Sequence, residues 1–293
     1  MRLDGLQRAG YRGCAHFNHR GKAVKLAQIA AISMLLASSI VGVTTTIALE
    51  VHAAAPQKKP DISEEASAAL LRMGQSLRAE QFSFQVRTIR VYADVNNQLL
   101  HIFHTMKVVV HRPNRLLVEV SGDDGSNKLV FDGKTADLYS AAQNKYASIP
   151  IPEGTIEAMM KEAMGRLGVD FPLADFLTEA PNKAFLTGVT SGRVIDTVTI
   201  DGSPYLHLFF SQPPGIELEL WLEKNDQSLP RRLIVTYRDL PGQPNFIAEF
   251  SDWNFNIHTS DADFAFQPPA GAVEVQLKPE AAATPAKAKG RHP

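Results

Sequence analysis

From Phe82 onward the chain alternates apolar with polar side chains. Phe82, Phe84 and Val86 take one parity and Ser83, Gln85 and Arg87 the other, the period of a half-buried strand. Turn signals at 94–97, 113–114, 123–126, 132–133 and 143–144 divide the next seventy residues, predicting strands over 82–93, 98–112, 115–121, 127–132, 135–140 and 145–149. The period then lengthens. Ile156, Met160, Ala163 and Leu167 recur at helical spacing, with Met159 and Met164 widening the stripe, and Pro172 can open a short second helix over 173–177. Alternation returns over 194–200, 204–212, 216–224, 231–238 and 245–256, most plainly where Ile216, Leu218, Leu220 and Leu222 face away from Glu217, Glu219 and Glu223. Ahead of all this, Ala66, Leu70, Met73 and Leu77 form one helical stripe ending near Ala79, with Asp61 as the expected N-cap and Glu64 three positions on.

Eleven strands, a leading helix and a helical interruption after the sixth predict a mainly β (α+β) fold. A sheet of that size curls rather than staying flat, and one domain over 61–278 accommodates it. Residues 279–293 are rich in Ala, Lys and Pro with nothing to bury and are expected to be disordered.

The first 53 residues differ in kind. Six basic residues precede Leu26–Leu49, a run of 24 residues without a charge. Small residues then reach Ala53, which fits a signal peptide cut there, with residues 54–60 as a linker. The alternative is an uncleaved anchor, since about 20 apolar residues suffice to cross a bilayer. Both readings export the remainder. The single cysteine, Cys14, lies in the leader, so the exported part has no disulfide. That part carries 24 basic and 29 acidic residues, and a mildly acidic domain is a poor nucleic-acid binder.

Familiar catalytic patterns are missing: there is no G-x-S-x-G elbow, Gly-rich phosphate loop or H-E-x-x-H pair. His101 and His104 are three apart in a strand and point to opposite faces, so they cannot share a metal. Asp123-Asp124-Gly125 reads as a polar turn. No enzyme chemistry, metal or cofactor is expected. Apolar surface is left over: Tyr205–Phe210 is apolar on both faces apart from His207, so something must cover its second side, and the methionine-bearing helix is the available cover.

Arg112-Pro113-Asn114, then Leu129–Thr135 with Tyr139, and Phe264–Gly271 near the end resemble the lipoprotein carrier LolA in order and position. The stretch from Glu217 to Phe255 is similar to a family of predicted periplasmic proteins of unknown function in that superfamily. The resemblance implies a half-open antiparallel β-barrel whose helical lid closes an apolar cavity, and export to the periplasm. It implies a lipid, acylated protein or other amphiphile as cargo, with an inner- or outer-membrane protein as a possible partner. In that carrier the arginine of the Arg-Pro-Asn motif bonds to the lid and holds the empty cavity shut, which implies a latch role for Arg112. Phe82, Phe84, Met106, Val108 and Val110 are then expected on the cavity wall, and Met159, Met160, Met164 and Leu167 on the cavity or lid. A related half-barrel in the superfamily restrains envelope-stress signalling, so a regulatory protein-binding module is the alternative to a carrier. Extra length around 178–201 and in the tail departs from the carrier pattern and points to a different cargo or a fixed partner.

Overall fold

In the computed structural model, residues 60–276 are described, except Val95 and residues 168–170, and of residues 165–167 only the backbone. The leader, most of the linker and the tail past Val275-Gln276 lie outside the described residues. In chain order the elements are β1 (Asp61–Ile62), α1 (Glu64–Ser76), β2 (Gln81–Ala93), β3 (Leu99–His111), β4 (Arg115–Gly122), β5 (Gly125–Phe131), β6 (Thr135–Ser140) and β7 (Lys145–Pro150). Then come α2 (Ile156–Leu167), a 3-10 turn (Ala174–Leu177), α3 (Pro181–Phe185), β8 (Ser191–Ile200), β9 (Ser203–Gln212), β10 (Ile216–Glu223), β11 (Pro230–Tyr237) and β12 (Asn245–Asn254). A second 3-10 turn (Asp261–Phe264) and β13 (Val273–Glu274) close the described chain.

All these strands belong to one open sheet in the order β1-β8-β9-β10-β11-β12-β2-β3-β4-β5-β6-β7-β13. The eleven long strands are antiparallel, as the alternation predicts. β1 and β13 are two-residue parallel additions, one at each edge. They are too short to leave a period in the sequence. Hydrophobic patterning fixes the register because a one-residue slip would turn every apolar side chain to water. Phe82, Val110, Leu116, Phe131, Ala136 and Ile149 stand opposite one another in a row across six strands, and none is more than 7% exposed.

The helices cover this apolar face. α1 does not begin as its sequence suggests: the N–H groups of Asp61 and Ser63 donate to the carbonyls of Thr190, just before β8, and Gly192 within it, each at 2.9 Å, and it is Ser63 whose hydroxyl accepts the N–H of Ala66 at 3.3 Å. Gly74 in the last turn of α1 matters because a Cβ there would come within 2.7–2.9 Å of the Asn182 side chain in α3, so a larger residue forces that contact apart. α3 itself is unannounced by periodicity, being five residues long behind Pro181.

The strand carrying Tyr205–Phe210 is indeed covered on both sides, but the expected cover is corrected. On the inner side Phe185 of α3 meets Phe210 edge-on at 5.3 Å. On the other side the cover comes from neighbouring strands rather than a helix: Trp221 stacks on His207 at 4.1 Å and Arg193 lies over Phe209 at 5.3 Å. Among the described residues no helix is long and apolar enough to cross a membrane.

Candidate binding site

The concave face is built from β2 and β3, the two longest strands, paired without interruption over 13 residues. Phe82 pairs with Val110, Phe84 with Val108 and Val86 with Met106, so the predicted wall residues share one face. Phe82, Phe84, Val108 and Val110 are 0–1% exposed, while Met106 is partly buried beside them.

A bulge in β12 adds the residue that fills the centre of this face. The register between β12 and β2 shifts after Ser251, and Asp252 adopts φ 54°, in the left-handed region. The shift turns Trp253 inward, where its ring stacks on Phe84 at 4.5 Å and lies 6.3 Å from Phe82, with its indole N–H donating to the Pro230 carbonyl at 3.0 Å. Strict alternation from Phe246 through Phe250 would have sent Trp253 outward, so the sequence pattern misses it; the only trace is the polar pair Ser251-Asp252 interrupting an apolar parity.

α2, the 3-10 turn and α3 connect β7 to β8, strands at opposite ends of the long-strand ladder, and so lie across the concave face. Thr155 accepts the N–H of Ala158 at 3.1 Å through its hydroxyl, capping α2, and the Pro113 carbonyl accepts the N–H of Ile156 at 3.0 Å. Ile156, Met159, Met160 and Ala163 are buried in the same apolar core as Phe82 and Phe84. Met164 is a correction: it is 41% exposed and points away from the core that holds Met159, Met160 and Ala163. The Leu167 side chain lies outside the described residues. Phe176, which the pattern did not single out, reaches from the 3-10 turn to Phe250 at 5.4 Å.

Arg112 stands where these parts meet. Its own N–H donates to the Glu80 carbonyl at 2.8 Å, which extends the β2–β3 ladder by one residue and sends its side chain to the same side as Val108 and Val110. The guanidinium then donates from Nε and Nη2 to the Leu77 carbonyl, at 3.2 and 2.9 Å, and from Nη1 to the Leu177 carbonyl at 2.9 Å. Leu77 is the C-cap of α1 and Leu177 ends the 3-10 turn, so one cation ties together two helix ends whose carbonyls have no other partner in their own helices. Beneath it lies the Phe82 ring, 5.8 Å from the guanidinium carbon. Burial pushes the guanidinium's pKa down, while Glu179 and Glu157 pull it back up. These two residues are themselves tied together: Glu157 accepts the backbone N–H of Glu179 at 3.0 Å.

Of the three histidines of β3, His104 and His111 have separate partners. His104 pairs with Asp124 of the β4–β5 turn at 2.7 Å, and the neighbouring Asp123 accepts the N–H of Phe103 at 3.0 Å. The aspartates therefore fasten a turn to a strand.

The sequence finds no match among curated proteins. The fold is similar to a crystal structure of an uncharacterized conserved protein from Thermus thermophilus, at 14% identity and TM-score 0.43, covering 72% of this chain and 99% of that one. It is also similar to a LolA superfamily protein from Nitrosomonas europaea (11% identity, TM-score 0.36, 68% and 97% covered). The lipoprotein LppX of Mycobacterium tuberculosis is a third likeness (18% identity, TM-score 0.40, 68% and 100% covered). Residues 66–278 match a family model described as predicted periplasmic protein (DUF2092), a span that begins within α1 and runs past β13. The chain belongs to that family of predicted periplasmic proteins, as the stretch from Glu217 to Phe255 implied.

Proposed function

We propose that this protein is a periplasmic binding protein that holds a lipid, an acylated protein or another amphiphile between its concave sheet and its helices, without covalent chemistry. The observation that carries this reading is Arg112. A charged group closes, through three hydrogen bonds to two helix-end carbonyls, over an interior made of Phe82, Phe84, Val108, Val110 and Trp253. A plain structural core needs no cation at its rim.

The mechanism follows from the bonds. Swinging α2 and the 3-10 turn outward breaks the bond from Nη1 to Leu177 and uncovers Met159 and Met160 on one side and the phenylalanines on the other. Each charged hydrogen bond is worth about 1.5–3 kcal/mol. An acyl chain gains about 0.8 kcal/mol per methylene buried, so a handful of methylenes offsets the latch. Methionine suits a surface that must repack, since its unbranched thioether chain adapts to different neighbours.

The test is native mass spectrometry of the protein purified from the periplasm without detergent, followed by organic extraction. The expected result is a lipid or acylated peptide near one per chain, lost in Met160→Asp while far-UV circular dichroism still reports the sheet. A protein that is empty as purified and stays empty after incubation with lipid vesicles would overturn the reading and leave a protein-binding module in its place.

A further inference from the structure

The lid carries negative charge, and opening it takes that charge away from Arg112. Glu157 lies in the first turn of α2, one residue after the Ile156 N–H that is held by Pro113, and Glu179 follows Leu177 by two residues. The two are joined by the Glu157 to Glu179 bond, so once the Ile156 to Pro113 bond is broken as well they can leave together with the Leu177 carbonyl. Arg112, by contrast, is fixed to the sheet by its backbone bond to Glu80 and to α1 by the Leu77 carbonyl. Arg78, exposed and next to Leu77, stays with α1 and adds a second positive charge at the same rim.

Of the five guanidinium N–H groups, three are used in the closed form, and opening releases the one on Nη1. An open lid therefore leaves a cation with at least three free N–H donors at the edge of an apolar trough, stripped of both lid carboxylates. Leaving such a charge half desolvated and unpaired is costly, and an incoming oxygen anion relieves it with hydrogen bonds of the strong, charge-assisted kind.

Resting on the carrier reading above, we infer that the ligand is an amphiphile with an anionic oxygen head, a carboxylate or phosphate, which takes the place of the lid on Arg112 while its chain lies along Phe82 and Val110. Glu157 and Glu179 then act as a built-in competitor. They screen Arg112 when the site is closed and repel a free anion from the closed rim, so that the head binds only after the lid has moved.

The experiment compares three probes with the same oleoyl chain on the full exported protein: oleate, 1-oleoyl lysophosphatidic acid and 1-monooleoylglycerol, each below its aggregation concentration, with retention read by native mass spectrometry. At least one anionic probe is expected to be held about tenfold more tightly than the neutral glyceride, the factor that one charge-assisted hydrogen bond supplies. Preference for oleate names a carboxylate head and preference for the lysophosphatidate a phosphate. Arg112→Gln is expected to erase the preference and Arg112→Lys to keep it. Equal retention of all three probes by the unaltered protein overturns the anionic-head inference and leaves the carrier reading standing; retention of none overturns both.

Discussion

Asp175 lies in the 3-10 turn whose last carbonyl holds Arg112. Burial pushes its carboxyl up from the ordinary 3.8 to about 6. The folded form therefore binds this proton more tightly than the unfolded chain does. The resulting stabilisation is fully present below about pH 4 and is lost as the pH rises through about 6, where the ionised carboxylate costs about 3 kcal/mol. Asp175→Asn is expected to remove that dependence. Denaturant unfolding at pH 4 and pH 7.5 should show the variant close to the parent at the lower pH and more stable by up to about 3 kcal/mol at the higher one.

At the level of elements, the two helices that meet at Gly74 set how firmly the lid sits. Replacing that glycine by valine puts a Cβ within 3 Å of Asn182 and forces α3 away from α1. Valine is no worse a helix former than glycine, so the effect is one of crowding. Gly74→Val is expected to speed amide hydrogen exchange over the 171–190 segment by at least tenfold while β2, β3 and β4 exchange as before, because the sheet rows around Phe82 do not touch the altered contact. The same crossing shows where sequence reading stops. Strands announce themselves by parity over six or more residues, and the meander of long strands was legible for that reason. α3, with five residues, and β1 and β13, with two each, are too short to show a period, and their positions are decided by which edge or helix they pack against. Arg112 is a mixed case: the residue is visible through its motif, whereas its acceptors are the backbone carbonyls of Leu77 and Leu177, which no side-chain pattern can reveal.

On the scale of the whole molecule, the segment after β12 acts as a strap along the outer end of β2–β7. Thr259 hydrogen-bonds Gln81 at 2.8 Å and His111 at 2.9 Å, Asp261 pairs with Arg115 at 3.0 Å, and Phe264 is completely buried against His111. Farther on, Phe266 lies 5.5 Å from Tyr146, and β13 adds itself to the edge of β7. His111 is gripped by the strap and the next residue, Arg112, by the lid, from opposite faces of one strand end. Phe264→Ala is expected to cost about 3–5 kcal/mol, the usual loss for emptying a phenylalanine site, measured as a lower midpoint in a denaturant titration. A loss below about 1 kcal/mol would mean that the strap is an ornament on the sheet rather than part of it.

The order of the sheet has one further consequence. β2, the first long strand to be made, pairs on one side with β3 but on the other with β12, the last, across more than 150 residues of chain. Neither half of the sheet can cover its own central edge, so the ribosome must finish residue 254 before the middle of the protein has both neighbours. Such distant pairing makes a topology slow to form. For a chain bound for the periplasm that delay works in its favour: the middle of the sheet cannot close before its last long strand is made, and an unfinished chain is still a thread when it reaches the export channel.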